Sequence, residues 1–291
     1  MIVHEPQMIR SFDGTFIATR SFGEADRIPV LLCNAIGANL SIWDLSLAQL
    51  ADSRRVVTWD HRGMFDSGLP ASNRLDAGAH VLDAIATVRA LGIERFHVVA
   101  WSSGGRIALE LAQEYPERVV SLGLVCAGYG HSLTGLLRLE FTSLLPRVAG
   151  IARFVAPPLH GLLRTLLARP EVAGLVRQSG MIGARADTAA FIGFLRGLSE
   201  ADPQILLQSY HAVSGDSAPH LLREIVAPAL VIAGEHDRFT TRTVTTEIVA
   251  KIADARLEVY EDSTHYLPIE QPERLAYDLK RFFKEIENTL T

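Results

Sequence analysis

Cysteine is nearly absent: Cys33 and Cys126 are the only two in 291 residues. Both fall in apolar, strand-like runs, which reads as buried thiols, the usual state of an unpaired cysteine. That excludes a disulfide-stapled scaffold and makes the cytosol the expected compartment. Positive charge is not in excess either. Lys and Arg total 28 against 33 Asp and Glu, the net charge is −5, and no basic stripe runs along the chain. No nucleic-acid surface is therefore expected. Long hydrophobic runs are missing too. No stretch of about 18 uncharged apolar residues occurs, so no spanning helix is expected. The apolar region from Leu133 to Leu167 is broken by Arg138, Glu140, Arg147, Arg153 and Arg164. Met1 to Arg10 carries His4, Glu5 and Pro6 and lacks the apolar centre of a secretory signal. What is present, 48% hydrophobic and 21% charged residues, suits one large domain or one domain with an insertion.

The hydrophobic rhythm changes along the chain. Met8 to Phe22 alternates around Asp13-Gly14, a hairpin signal. Short apolar runs follow at Ile28–Cys33, Arg55–Trp59, Phe96–Ala100 and Val119–Cys126. Helical patterns separate them, near Ser41–Ala51, over Asp76–Leu91 with Gly92 as its stop, and after Gly104 as far as Tyr115-Pro116. From Gly128 to about Arg223 no strand pattern occurs. Strands resume at Ala229–Ala233 and Leu257–Tyr260, with a helix to about Ala253 between them and a last helix over Pro272–Glu287. Strands alternating with helices predict an α/β fold, a mostly parallel sheet covered on both faces. Residues 1–128 and 224–291 then form the core, and 129–223 a helical cap inserted between two strands. In this order the strands of Cys33 and Cys126 flank the Phe96–Ala100 strand. Two strand spacings are roughly 9.5 Å, beyond the ~7 Å reach of a disulfide.

The chain is organised around Ala100-Trp101-Ser102-Ser103-Gly104-Gly105. Strand, sharp turn and helix meet there, the setting of a nucleophile elbow. The reactive hydroxyl of such a turn needs small residues two positions away on either side. Ser102 has Ala100 and Gly104, whereas Ser103 would place Trp101 in that slot. Ser102 is the candidate nucleophile, and the N–H of Ser103 at the helix start is a candidate oxyanion donor. The same Ser-Ser-Gly-Gly also suits a helix cap without chemistry.

A serine needs a base, and the base an orienting acid. In this architecture the order is serine, acid, histidine. The strand ending at Ala233 opens into Gly234-Glu235-His236-Asp237, and the strand ending at Tyr260 into Glu261-Asp262-Ser263-Thr264-His265. His265 is the only histidine beyond Asp237. Asp237 and His265 complete a triad; Asp237 also suits capping a helix near Thr240, and Glu235 is the alternative acid. A second oxyanion donor is expected from the loop after Cys33, at the backbone N–H of Ile36. Asn34, Trp101, Tyr129, Phe239 and Tyr266 flank these loops and are the candidates for lining a substrate pocket.

These pieces resemble the α/β-hydrolase superfamily from about Ile9 to Phe283. They are the Cys33-Asn34-Ala35-Ile36-Gly37 loop with Trp43-Asp44 after it, Asp60-His61-Arg62-Gly63, the Ser102 elbow, Gly234-x-x-Asp237, and His265-x-Leu267-Pro268 with Glu270-x-Pro272. Asn34-Ala35 stands where His-Gly is usual, and this Asn-x-aliphatic-Gly loop looks like the 3-oxoadipate enol-lactone hydrolase branch. Met64-Phe65 departs from that branch, and the cap is long and apolar for it. The resemblance implies an eight-stranded α/β-hydrolase fold. It also implies a mechanism in which Ser102 attacks a carbonyl, His265 carries the proton, Asp237 fixes the tautomer and water releases the acyl group. Neither metal nor organic cofactor is implied.

Between residues 130 and 200 eight arginines face four acids, so an anionic substrate is one reading and solvated helix faces the other. Apolar cap residues such as Leu136, Phe141, Leu145 and Phe154 suit a greasy pocket, a homodimer face or plain cap core. The expectation is a serine hydrolase acting on a small, fairly apolar ester or lactone, or on a carbon–carbon bond beside a ketone. A slow-turnover receptor and a cofactor-free oxygenase or perhydrolase on the same scaffold are the alternatives.

Overall fold

A computed structural model describes residues 5–24, 26–130 and 169–290. The strands are β1 (Gln7–Arg10), β2 (Phe16–Phe22), β3 (Val30–Cys33), β4 (Val56–Trp59), β5 (Phe96–Trp101), β6 (Val119–Val125), β7 (Ala229–Gly234) and β8 (Ala255–Tyr260). They form one sheet in the order β1-β2-β4-β3-β5-β6-β7-β8. β2 pairs antiparallel with β1 and β4, and the pairs from β4 to β8 are parallel. This is the mostly parallel α/β sheet expected from the alternating pattern, with the eight strands that the α/β-hydrolase resemblance implies.

The inner strands carry no polar face because helices cover both sides. β3, β5, β6 and β7 are buried at every position. Alternation assigns each side chain to a layer. Leu31, Cys33, Val98, Ala100 and Val231 join one core with α2 (Ala77–Ala90) and α3 (Gly104–Glu114). Val30, Leu32, Val99, Trp101, Leu230 and Ile232 join the other with α1 (Asp44–Ala51) and the long C-terminal helix Pro272–Thr289. Cys33 and Cys126 lie on either side of β5 and are free and buried.

Between β6 and β7 the described part of the chain is helical: α4 (Pro170–Gln178), α5 (Thr188–Glu200) and α6 (Pro203–Ser214). Aspartates start two of these helices. Asp187 accepts the N–H of Ala190, and Asp202 accepts those of Gln204 and Ile205, with Pro203 in the first turn. α5 seats on the short 3-10 turn Leu40–Ile42, where Asn39 Nδ2 donates to the Gly193 carbonyl at 3.0 Å. A Cβ on Gly197 would fall 2.1 Å from Asn39 Nδ2, so this approach needs glycine. The remaining helices are α7 (Arg242–Lys251), α8 (Leu267–Glu270) and α9 (Pro272–Thr289). Arg138, Arg147, Arg153, Arg164 and the apolar residues Leu136, Phe141, Leu145 and Phe154 lie outside the described residues. Among the described residues no helix is long and apolar enough to cross a membrane.

One expected boundary shifts, and one short helix is additional. β8 begins at Ala255 rather than Leu257; it is a half-exposed edge strand, and Arg256 carries no apolar signal. The four-residue helix α8 follows His265 directly and is too short to show a period.

Candidate active site

At the end of β5 the chain turns at Ser102, which has φ +55°, a left-handed value rare outside glycine. The turn is held from both sides: the Ser102 N–H donates to Val125 (3.3 Å), and its carbonyl accepts from Gly105 (3.0 Å) and Gly128 (3.1 Å). α3 leaves the turn so close to the neighbouring loop that a Cβ on Gly104 would lie 2.5 Å from the carbonyl oxygens of Cys33 and Asn34. The small residue expected two positions after Ser102 is thus a steric requirement.

The loops after β7 and β8 bring Asp237 and His265 to this turn. His265 Nε2 is 2.8 Å from Ser102 Oγ, and Nδ1 is 2.9 Å from Asp237 Oδ2. The other oxygen of Asp237 accepts the N–H groups of Phe239 (2.8 Å) and Thr240 (2.9 Å). It closes the turn before α7, whose own N-cap is Thr241. The alternative acid, Glu235, is exposed and accepts from the Asp262 N–H.

His265 is packed between rings. Phe239 lies 4.8 Å away and Trp101 5.5 Å, while Tyr266 stands perpendicular at 5.8 Å. Trp101 also donates its indole N–H to the His265 carbonyl at 2.9 Å, so it holds His265 as well as walling it. Phe194 of α5 adds a further ring, 5.9 Å from both Trp101 and Tyr266. Burial, with the negative charges of Asp237 and Glu270 nearby, pushes the Tyr266 phenol up to about 12, so it stays neutral.

Two expected pocket residues have other occupations. Asn34 is 4% exposed and spends its side chain inside its own loop. It donates to the carbonyls of Ala38 and Asn39 and accepts from Ala35 N–H and Trp43 Nε1. It shapes the loop and offers a substrate nothing. The Tyr129 ring belongs to the core layer of α2 and α3, and its hydroxyl donates to Glu247 on α7. The Ile36 N–H is also engaged, donating to Ser103 Oγ at 2.9 Å.

Glu270 was absent from the expected site. Buried at 4% exposure, its carboxylate accepts the N–H (2.6 Å) and hydroxyl (2.6 Å) of Thr264, the residue before His265. It also accepts the N–H of Gly183, from the helical insertion, at 2.7 Å. The Glu270-x-Pro272 motif was the signal, although spacing alone does not reveal its partners. On the opposite side His61 Nε2 meets the Asn34 carbonyl at 3.0 Å. Burial depresses His61 to about 4, so it is neutral and donates. The neighbouring Arg62 is fully buried, bidentate on Asp83 (2.7 and 2.8 Å) and paired with Asp13 at 3.0 Å.

Asp237, His265 and Cys126 hold their ligand-type atoms within 4.8 Å of one another. Both His265 nitrogens are committed, and burial together with Asp237 raises the Cys126 thiol well above its ordinary value, so it keeps its proton. A separate cleft of about 840 Å³, bordered by Arg20, Asp44, Asp60 and Asp202, contains none of the three.

Residues 28–272 match the sequence profile of the family described as alpha/beta hydrolase fold. A 3-oxoadipate enol-lactonase 2 from Acinetobacter baylyi is 29% identical over 281 residues, covering 91% of this chain and 91% of that protein. A 2-hydroxy-6-oxononadienedioate/2-hydroxy-6-oxononatrienedioate hydrolase from Burkholderia vietnamiensis is 29% identical over 244 residues, covering 76% of this chain and 73% of that one. Among solved structures, a hydrolase from Pseudomonas aeruginosa PA01 superposes with a TM-score of 0.76 at 25% identity, over 96% of this chain and 98% of that one.

Proposed function

Because the chain belongs to the alpha/beta hydrolase fold family, we propose that it is a serine hydrolase opening a small, fairly apolar ester or lactone through an acyl-enzyme on Ser102. It is an α/β-hydrolase enzyme, and its curated relatives include an enol-lactonase. The observation that carries the reading is the unbroken chain of hydrogen bonds from Asp237 through His265 to Ser102.

In the first step Ser102 Oγ bonds to the carbonyl carbon and its proton passes to His265 Nε2. The carbonyl π pair moves onto oxygen, which faces the helix start at Ser103. Asp237 holds the Nδ1 proton and offsets the imidazolium charge. The tetrahedral species collapses as the carbon–alkoxide bond breaks and His265 returns the proton to the leaving oxygen; in a lactone that oxygen stays tethered. Water then adds to the acyl-enzyme, gives a proton to His265, and Ser102 departs with it. The rings of Phe239, Trp101, Tyr266 and Phe194 favour an apolar acyl group beside the base. Both thiols are free and buried, which suits the cytosol.

A fluorophosphonate probe tests the reading. Covalent mass is expected on Ser102 and is lost in Ser102→Ala, whose ester hydrolysis drops by about 10⁴-fold or more. Folded wild-type protein that takes no label would end the proposal. A panel of esters, lactones and vinylogous diketones of graded length and charge then places the substrate. Labelling with slow, single-turnover release would favour the receptor alternative, and oxygen uptake with an aromatic substrate the oxygenase.

A further inference from the structure

The two amides expected to hold an oxyanion are not equivalent. The Ser103 N–H, one residue past Ser102, has no acceptor among the described residues, but the Ile36 N–H already donates to Ser103 Oγ at 2.9 Å. That hydroxyl is on a residue only 2% exposed. A hydroxyl accepts through two lone pairs and donates one proton. Ser103 Oγ uses its acceptor side on Ile36, and among the described residues its proton has no acceptor. A buried donor left idle is costly. Beside Ser102, the group that supplies the missing acceptor is the substrate oxygen as it becomes an oxyanion.

We propose that the Ser103 hydroxyl is a catalytic donor of the oxyanion hole, acting with its own N–H while the Ile36 amide polarises it from behind. The inference rests on Ser102 being the nucleophile. No proton changes owner at Ser103. The negative oxygen accepts the Ser103 O–H and N–H, and the Ile36 N–H stays on Oγ throughout. An N–H···O–H···O⁻ chain is cooperative, since each bond strengthens the next. A covalently held hydroxyl is also already oriented when charge develops, which is the condition for a donor to lower the barrier. This revises the expected role of Ile36: its amide acts through Ser103 rather than on the substrate.

The test compares wild type and Ser103→Ala on p-nitrophenyl acetate and on the matching thionoester, whose sulfur accepts hydrogen bonds weakly. Loss of one such donor is expected to lower kcat by about hundredfold to thousandfold with little change in KM. The loss should shrink several-fold on the thionoester. An alanine variant as fast as wild type or faster, or one slowed equally on both substrates, overturns the proposal. Fluorophosphonate labelling of the wild type separates the two layers. Absence of label on Ser102 removes the hydrolase reading itself, whereas a labelled Ser102 with an unslowed Ser103→Ala removes only this one. Should the alanine variant fail to fold, Ser103→Cys, a weaker donor in the same position, replaces it under the same criteria.

Discussion

Ser102 and His265, the proposed nucleophile and base, stand on the same rim of the sheet but are held there differently. Ser102 is placed by main chain: a left-handed turn between β5 and α3, closed by hydrogen bonds to Val125, Gly105 and Gly128 and by a glycine tight against two carbonyls. His265 is placed by side chains from distant parts of the chain. Trp101 holds its carbonyl, Glu270 the preceding residue and Asp237 its ring. The first arrangement is encoded within a few consecutive residues and is rigid by sterics. The second is assembled from residues 101, 183, 237, 264 and 270, and it is only as firm as its hydrogen bonds.

The contrast breaks most sharply at Gly104. Gly104→Ala puts a methyl 2.5 Å from two backbone oxygens, so the turn has to move. A displacement near 1 Å costs roughly a hundredfold in rate, read as kcat on a p-nitrophenyl ester together with a lower Tm; wild-type kinetics would show that the elbow is softer than described. Glu270→Gln is expected to have a smaller effect, because it perturbs hydrogen bonds and moves no main chain directly. It replaces one acceptor oxygen with a donor that meets other donors. A fall of about tenfold in kcat with KM nearly constant is expected, from the order of 1 kcal/mol lost per mispaired buried bond. If KM rises instead and kcat holds, Glu270 serves the helical insertion rather than the base.

Acid gives the mildest separation, through the histidine behind the Asn34 loop. Folded His61 stays neutral to about pH 4, whereas an unfolded histidine protonates near 6.5. Between these values the unfolded chain binds the extra proton, so stability falls as pH drops through this window and is unaffected above it. His97, depressed to about 4 by burial and by Arg54, adds in the same direction. At pH 5.5 each costs on the order of 1 kcal/mol. Urea unfolding across pH 7 to 4 measures the slope, and His61→Gln should remove its share of it. A slope unchanged in that variant would mean that His61 titrates alike in the folded and unfolded chain.

Legibility followed the same divide. Strand, turn and helix around Ser102 were visible because small residues, β-branching and helical period are all local. The positions of Asp237 and His265 were visible because each follows an apolar strand, and chain order left one histidine. The partners that hold them were not visible. Asn34 looked like a pocket residue until its amide proved to be spent on Ala38, Asn39 and Trp43. Tyr129 follows β6 just where a wall residue would, but the chain turns it toward Glu247. No spacing rule tells which layer a residue enters after a strand ends.

One consequence follows from Glu270. Its carboxylate joins the Gly183 amide, in the helical insertion, to Thr264, beside the base. Both amides draw on the same buried carboxylate, so the two contacts are tied to one side-chain position. Any displacement of the insertion at Gly183 therefore shifts an acceptor shared with the residue before His265, and the insertion and the imidazole have a common footing.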